Sequence, residues 1–124
     1  MTLYHGSCHC GRVQFEIDTD LKGAGVCNCS ICTRRNAVMV RAQADEFRLL
    51  QGADDLVEYQ FGSRTARHYF CGTCGIYTFH RPRVAPEAYA VNAFCLENLT
   101  RAEIDALPVT RYDGRSFPVP DDDR

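Results

Sequence analysis

The sequence lacks the features that would point to a membrane or a nucleic-acid partner. No stretch approaches the ~20 apolar residues of a transmembrane helix, and residues 1–6 lack the charged and apolar regions of a secretory signal. Basic residues are not in excess, with 14 Lys and Arg against 16 Asp and Glu, so the sequence shows no basic stripe that would bind nucleic acid. We therefore expect a cytoplasmic protein with no membrane and no nucleic-acid partner.

The chain also lacks internal repeats, linkers and low-complexity segments before its tail. Its 124 residues fit one domain, which we place at residues 1–110. The remainder, residues 111–124, is rich in aspartate and proline towards its end and is predicted to be extended or disordered. Oligomeric state does not follow from these features.

Short β-prone segments dominate the domain. Val13, Phe15 and Ile17 alternate with polar residues, which predicts a strand with one buried face. Thr100-Arg101-Ala102-Glu103 is a capping-box pattern that predicts one C-terminal helix, ended near Leu107 by Pro108. Further strands are predicted at 37–42, 56–61, 67–70, 75–80 and 89–94. The pattern indicates a mainly β fold of antiparallel strands with one short helix.

Cysteine is the residue that the chain has in abundance, with eight copies. Disulfides would need an oxidising compartment, for which the sequence carries no secretory signal. Metal ligation fits better, because thiolates spaced one to three positions apart can converge on one tetrahedral ion. The eight are Cys8, Cys10, Cys27, Cys29, Cys32, Cys71, Cys74 and Cys95.

Two of the cysteine pairs have the form of zinc knuckles. One pair is Cys8 and Cys10, and the other is Cys71 and Cys74; glycine follows three of these four residues. Glycine permits backbone angles that turn amide N–H groups towards sulfur. Four thiolates saturate a tetrahedral zinc ion, so a structural site is predicted. Its binding free energy, on the order of 10 kcal/mol, would be folding free energy comparable to the stability of the whole domain.

The middle group, Cys27, Cys29 and Cys32, supplies three thiolates in a short segment. Three protein ligands with a fourth position open to substrate is the arrangement of a catalytic zinc ion. Alternatively, a fourth side chain closes this site. The candidates for that ligand are His5, His68, His80 and Cys95.

The pattern leaves other arrangements open. Cys8 and Cys10 could join the middle group instead, and iron–sulfur clusters also use thiolates. We expect His9 to point outward from its knuckle. Cys95 is expected to be a small buried hydrophobic residue rather than a spare thiol beside the middle group.

Three motifs together resemble the glutathione-dependent formaldehyde-activating enzyme family, which includes the centromere protein V domain. The resemblance covers residues 3–107 and implies a β-tent fold of small antiparallel sheets around zinc knuckles. The motifs are Gly6-Ser7-Cys8-His9-Cys10-Gly11, Cys27-Asn28-Cys29-Ser30-Ile31-Cys32-Thr33-Arg34-Arg35 and Phe70-Cys71-Gly72-Thr73-Cys74-Gly75.

The resemblance also implies two zinc ions per chain and a reaction. A structural zinc ion would bind Cys8, Cys10, Cys71 and Cys74, and a second, catalytic zinc ion, not always filled, would bind Cys27, Cys29 and Cys32. The founding enzymes condense glutathione with formaldehyde to S-hydroxymethylglutathione. The motifs do not identify the residues that contact glutathione.

Three functional hypotheses follow. The first is a zinc-dependent carbon–sulfur lyase-type enzyme acting on a glutathione-like thiol and a small aldehyde such as formaldehyde, with Arg34 and Arg35 available for a substrate carboxylate. The second is a zinc-stabilised binding scaffold without activity, since the sequence shows no obvious general base near the middle group. Redox sensing by the middle cysteines ranks third.

Overall fold

The computed structural model describes residues 1–116, which form ten short strands and two short helices. The predicted mainly β fold is confirmed. The strands are β1 (Thr2–Ser7), β2 (Gln14–Thr19), β3 (Ala24–Cys27), β4 (Met39–Ala42), β5 (Phe47–Gln51), β6 (Leu56–Tyr59), β7 (Arg67–Cys71), β8 (Tyr77–Arg81), β9 (Tyr89–Asn92) and β10 (Thr110–Tyr112), and the helices are α1 (Ser30–Arg35) and α2 (Arg101–Asp105). Neither helix is long and apolar enough to cross a membrane.

The strands form two sheets. The smaller is antiparallel with the order β1-β2-β5, and the larger has the order β10-β3-β4-β9-β8-β7-β6. All neighbours in the larger sheet are antiparallel except β10 and β3, which run parallel. Residue Cys27 at the end of β3 lies opposite Tyr112 in that parallel pair.

An aromatic cluster packs the two sheets together. Phe15 and Phe47 come from the small sheet, while Phe79 and Tyr89 come from the large one. The ring centroids of Phe47 lie 4.8 Å from Phe79 and 4.2 Å from Tyr89. The predicted buried face of the early strand is confirmed, because Phe15 and Ile17 are fully buried.

The predicted capping box starts α2. The Thr100 hydroxyl accepts the N–H of Glu103 at 3.1 Å, and the Glu103 carboxylate accepts the N–H of Thr100 at 3.0 Å. Both contacts satisfy donors that the first helical turn would otherwise leave free. The helix ends at Asp105, three residues before Pro108.

The structure corrects one expectation. A single helix was predicted, but the cysteine motif of the middle group continues into a second helix, α1, whose six residues are too few to show an apolar repeat. Strand β10 spans Thr110–Tyr112, at the boundary expected after residue 110, and its pairing with β3 is not visible in the sequence. Residues 117–124 of the predicted tail lie outside the described residues.

Candidate functional site

Four cysteine thiols meet between the turn that joins β1 to β2 and the turn that joins β7 to β8. The sulfur atoms of Cys8, Cys10, Cys71 and Cys74 all lie within 4.8 Å of one another. Cys10 is 3.6 Å from Cys8 and 3.7 Å from Cys71, measured between sulfurs. The knuckle pairs expected from the sequence therefore meet, and Cys8 and Cys10 do not join the middle group.

The backbone around these four sulfurs favours thiolates. The N–H of Val13 points at the Cys8 sulfur at 3.3 Å, and the N–H groups of Thr73 and Cys74 point at the Cys71 sulfur. The contact from the Cys74 N–H lowers the pKa of Cys71. Such N–H···S contacts and a set of four sulfurs fit a structural zinc ion.

The three middle cysteines form a second group at the junction of β3 and α1. Cys27 ends β3, Cys29 is the N-cap of α1, and Cys32 lies in the first turn. Their sulfurs lie within 4.8 Å of one another, and no other His, Cys, Asp or Glu among residues 1–116 joins them. Contacts from the Cys29 and Cys32 thiols lower the pKa of Cys27, while the same contact with Cys27 raises that of Cys32.

The segment after β10 covers one side of this second group. The N–H of Asn28 donates to the carbonyl of Tyr112 at 3.2 Å, and its side-chain amide donates to Asp113 at 2.9 Å. The backbone of Gly114 also makes a hydrogen bond to Cys27, which lowers the pKa of that thiol. Residues of the predicted tail thus contribute to the site.

A cavity of about 330 Å³ opens beside the three cysteines. Charged and imidazole side chains make up its polar wall. They are Arg35, Arg41, His68, His80 and Arg83. The second cysteine group lines this cavity and the four-cysteine group does not, so a small molecule bound here would lie beside the second group.

Arg35 joins the second cysteine group to the histidines. Its guanidinium donates to the Cys32 sulfur at 3.1 Å and to Nδ1 of His68 at 2.8 Å. It also reaches Nδ1 of His80 at 3.3 Å and lies 4.2 Å from the centre of the Tyr77 ring. The Tyr77 hydroxyl contacts the same Nδ1 of His80.

Burial keeps the histidines neutral. It lowers the pKa of His68 to about 3, with a smaller contribution from the Arg35 charge. The pKa of His80 is also lowered, by burial first and by Arg35 second. Burial raises the pKa of the Tyr77 hydroxyl well above its usual range, so this group keeps its proton.

The remaining residues singled out in the sequence lie away from the second group. His5 pairs with Glu97 at 2.7 Å on the surface, and His9 is exposed. Cys95 is buried in the main core, as expected, and its thiol contacts the carbonyl of Tyr77 at 3.6 Å. Arg34 is exposed and donates to the carbonyl of Ser30. All eight cysteines are free thiols.

The family model for the glutathione-dependent formaldehyde-activating enzyme matches residues 3–109. The chain belongs to this family. The family resemblance inferred from the three cysteine motifs is confirmed. The chain is also similar to a Rhodobacter sphaeroides protein whose crystal structure comes from a structural genomics programme. The two sequences are 44% identical and the structures have a TM-score of 0.79. The match covers 86% of this chain and 99% of the Rhodobacter chain.

Three residues of the site in this member of the formaldehyde-activating family were not predicted from the sequence. Tyr77 contacts Arg35 and His80 from β8, and Arg41 lines the cavity from β4, but neither residue belongs to a cysteine motif. Gly114 follows a strand that was not predicted. The contact between Arg35 and Cys32 could have been predicted from their spacing, because residues three apart on a helix share a face. That prediction required α1 to be predicted first.

Proposed function

We propose that the protein joins a glutathione-like thiol to formaldehyde or a similar small aldehyde, and runs the reverse cleavage, at Cys27, Cys29 and Cys32. One observation carries this proposal. The four-cysteine group has a full ligand set, whereas the three-cysteine group leaves a coordination position open and lines a cavity of about 330 Å³. The contrast is the one between a structural and a catalytic centre.

The reaction forms an S–C and an O–H bond, breaks the S–H bond and the carbonyl π bond, and changes no oxidation state. The thiol gives its proton to water, and its sulfur lone pair forms the S–C bond to the carbonyl carbon. The π pair of the carbonyl moves to oxygen, which takes a proton from water and becomes the hydroxyl of the S-hydroxymethyl product. The reverse reaction is carbon–sulfur lyase chemistry.

The protein's own groups set up the sulfur and the aldehyde. Zinc held by Cys27, Cys29 and Cys32 would supply a cation that keeps a substrate sulfur ionised near neutral pH. Arg35 donates to the Cys32 sulfur and offsets part of the negative charge of the thiolate set. The cavity would hold the two reactants close together, which lowers the entropic cost of their meeting.

The cations of the cavity support a substrate with carboxylates. Arg41 and Arg83 line it from β4 and from the segment after β8, and Arg41 is largely exposed. A glutathione-like thiol carries carboxylates that match them. Arg34, proposed from the sequence for this role, does not line the cavity and bonds to its own helix instead. Eight free thiols support a reducing compartment such as the cytoplasm.

Exchange between formaldehyde and glutathione tests the proposal. Magnetisation-transfer NMR measures the rate of S-hydroxymethylglutathione formation and cleavage with and without protein that carries two zinc ions per chain. The expected result is acceleration that is lost in the Cys29→Ser variant while one zinc ion is retained. No acceleration at full occupancy would contradict the enzyme and favour the zinc-stabilised scaffold.

A further inference from the structure

Arg35 connects the metal-binding cysteines to two histidines of the cavity wall. We propose that Arg35 is a positioning residue that holds His68 and His80 as Nε2–H tautomers, which makes the His68 Nε2–H the hydrogen-bond donor to the aldehyde oxygen. The part that concerns the aldehyde rests on the proposed function. The part that concerns the tautomers rests on the contacts of Arg35 alone.

The tautomer follows from the chemistry of the donor. A guanidinium group carries only N–H donors and stays charged in proteins. An imidazole nitrogen that contacts it at 2.8 Å, as Nδ1 of His68 does, must therefore be the acceptor. His68 is neutral because burial lowers its pKa to about 3. A neutral ring that accepts at Nδ1 carries its one proton on Nε2.

Arg35 also donates a hydrogen bond to His80 and sets its tautomer. Its Nδ1 accepts from Arg35 at 3.3 Å and also contacts the Tyr77 hydroxyl, which stays protonated because burial raises its pKa. Because the guanidinium can only donate, Nδ1 of His80 accepts, and the Tyr77 hydroxyl then donates to this nitrogen rather than accepting from it. Arg35 therefore fixes both rings in one tautomer, and its stacking on Tyr77 holds the guanidinium in place.

His68 Nε2 is a buried donor without a partner. Its side chain is only 5% exposed, and within residues 1–116 no group accepts a hydrogen bond from this nitrogen. Native proteins rarely leave a buried N–H unpaired, so the nitrogen marks a place for an external acceptor. His68 lines the same cavity as the three cysteines, and we assign that acceptor to a molecule bound there.

Aromatic neighbours fix the plane of the His68 ring. Its centroid lies 5.8 Å from that of Phe61 in a stacked arrangement and 5.1 Å from that of His80. Packing against both rings restricts rotation of the imidazole, so it cannot turn freely to follow a ligand. Its N–H direction is set before the substrate arrives, which is the condition for efficient stabilisation of a developing charge.

The arrangement argues against a histidine as fourth metal ligand. Neither His68 nor His80 places a nitrogen in the group of three sulfurs. Each has Nδ1 occupied by Arg35, so ligation through that atom would cost the contact with the guanidinium. Ligation through Nε2 would require the proton to move from Nε2 to Nδ1. An N–H at Nδ1 would then point at the N–H donors of Arg35. Arg35 therefore keeps the fourth position open for substrate.

The His68 donor acts where charge develops. When the S–C bond forms, the electron pair of the carbonyl collects on oxygen before water protonates it. A fixed N–H at that oxygen stabilises the charge without giving up its own proton. Removal of one such donor costs on the order of 10²-fold in kcat.

Nitrogen NMR of the histidine rings tests the positioning role without any activity. Long-range proton–nitrogen correlation spectra of the ¹⁵N-histidine protein at neutral pH should show Nε2–H for both rings, in protein that carries two zinc ions and in protein that carries zinc at the four-cysteine group alone. Arg35→Met should give mixed tautomers, with partial recovery in Arg35→Lys. Arg34→Met is the matched control, one residue away and exposed, and should leave both signals unchanged.

Kinetics test the donor itself. His68→Phe keeps a stacked ring but removes the N–H, and should lower kcat about 10²-fold with little change in KM for the thiol. His68→Gln returns an N–H near the position of Nε2 and should recover part of kcat. Zinc content and chemical-shift dispersion report that each variant is folded and loaded.

The outcomes separate the proposals. Nδ1–H at His68 in the parent protein, or unchanged tautomers in Arg35→Met, overturns the positioning role. Unchanged kcat in His68→Phe overturns the donor role. A parent protein that shows the Nε2–H tautomers but no exchange contradicts the proposed function and the role towards the aldehyde, while it supports the positioning role of Arg35.

Discussion

Gly114 lies directly against the sulfur of Cys27. A Cβ atom added at residue 114 would be 2.5 Å from that sulfur and 3.1 Å from the Cβ of Cys29. The backbone of Gly114 also makes a hydrogen bond to Cys27. The segment that follows β10 is therefore packed so closely on the second cysteine group that it permits no side chain at this position.

Gly114→Ala is expected to weaken metal binding at the second group alone. The added methyl group must displace the Cys27 sulfur or the backbone of the segment, which disturbs a group packed against a ligand. Changes of this kind typically cost 10- to 100-fold in metal affinity. Chelator competition should show one zinc ion released faster and one unchanged. Gly23→Ala, where a Cβ meets nothing within 4 Å, is the control and should retain both ions.

The two cysteine groups should respond differently to loss of one sulfur. Cys71 is fully buried and packs with Cys8 and Val13, so Cys71→Ser should abolish a folding contribution on the order of 10 kcal/mol and leave the chain unfolded. Cys27→Ser should fold and hold one zinc ion tightly. Far-UV circular dichroism and metal analysis of both variants distinguish them. A folded Cys71→Ser protein would contradict the structural role of the first group.

Arg41→Gln is expected to raise KM for glutathione about 10-fold or more, as for loss of a charge-assisted hydrogen bond. A neutral thiol such as 2-mercaptoethanol has no carboxylate and should show the same KM in both proteins. Added salt should raise KM for glutathione in the parent protein and much less in the variant. Arg101→Gln, on the exposed face of α2, controls for the change in net charge. Equal effects on both thiols would contradict carboxylate binding by Arg41.

Thr100→Ala should affect stability and not the reaction. Its hydroxyl accepts the N–H of Glu103, and loss of such a cap typically costs about 1 kcal/mol of unfolding free energy. Denaturant unfolding of the zinc-loaded protein measures this change, and the exchange rate should stay at the parent value. Thr65→Ala, at an exposed loop position, should change neither quantity. A slower exchange in the Thr100 variant would mean that α2 is coupled to the site.

Features that depend on residues close together in the chain could be predicted from the sequence. The alternation around Phe15 and the capping box at Thr100 each predicted an element that the structure contains. The cysteine spacing likewise identified the local groups of sulfurs, but it left open which group Cys8 and Cys10 join, because Cys10 and Cys71 are 61 residues apart.

Contacts between distant segments could not be predicted in this way. Arg35 meets His68 and His80 across separations of 33 and 45 residues, and their meeting depends on the pairing of β7 with β8 and on the position of α1. Strand β3 is short and holds Gly25 against the ring of Tyr112, so its partner β10 was not apparent either. Short elements of this kind acquire their structure from the sheet rather than from their own residues.

The parallel pairing of β10 with β3 has a consequence for the order in which the protein matures. The ribosome completes the four-cysteine group once Cys74 has been made, whereas β10 and Gly114 are synthesised much later. All four ligands of the centre that secures the fold are therefore present in a nascent chain that still lacks the segment covering the three-cysteine group.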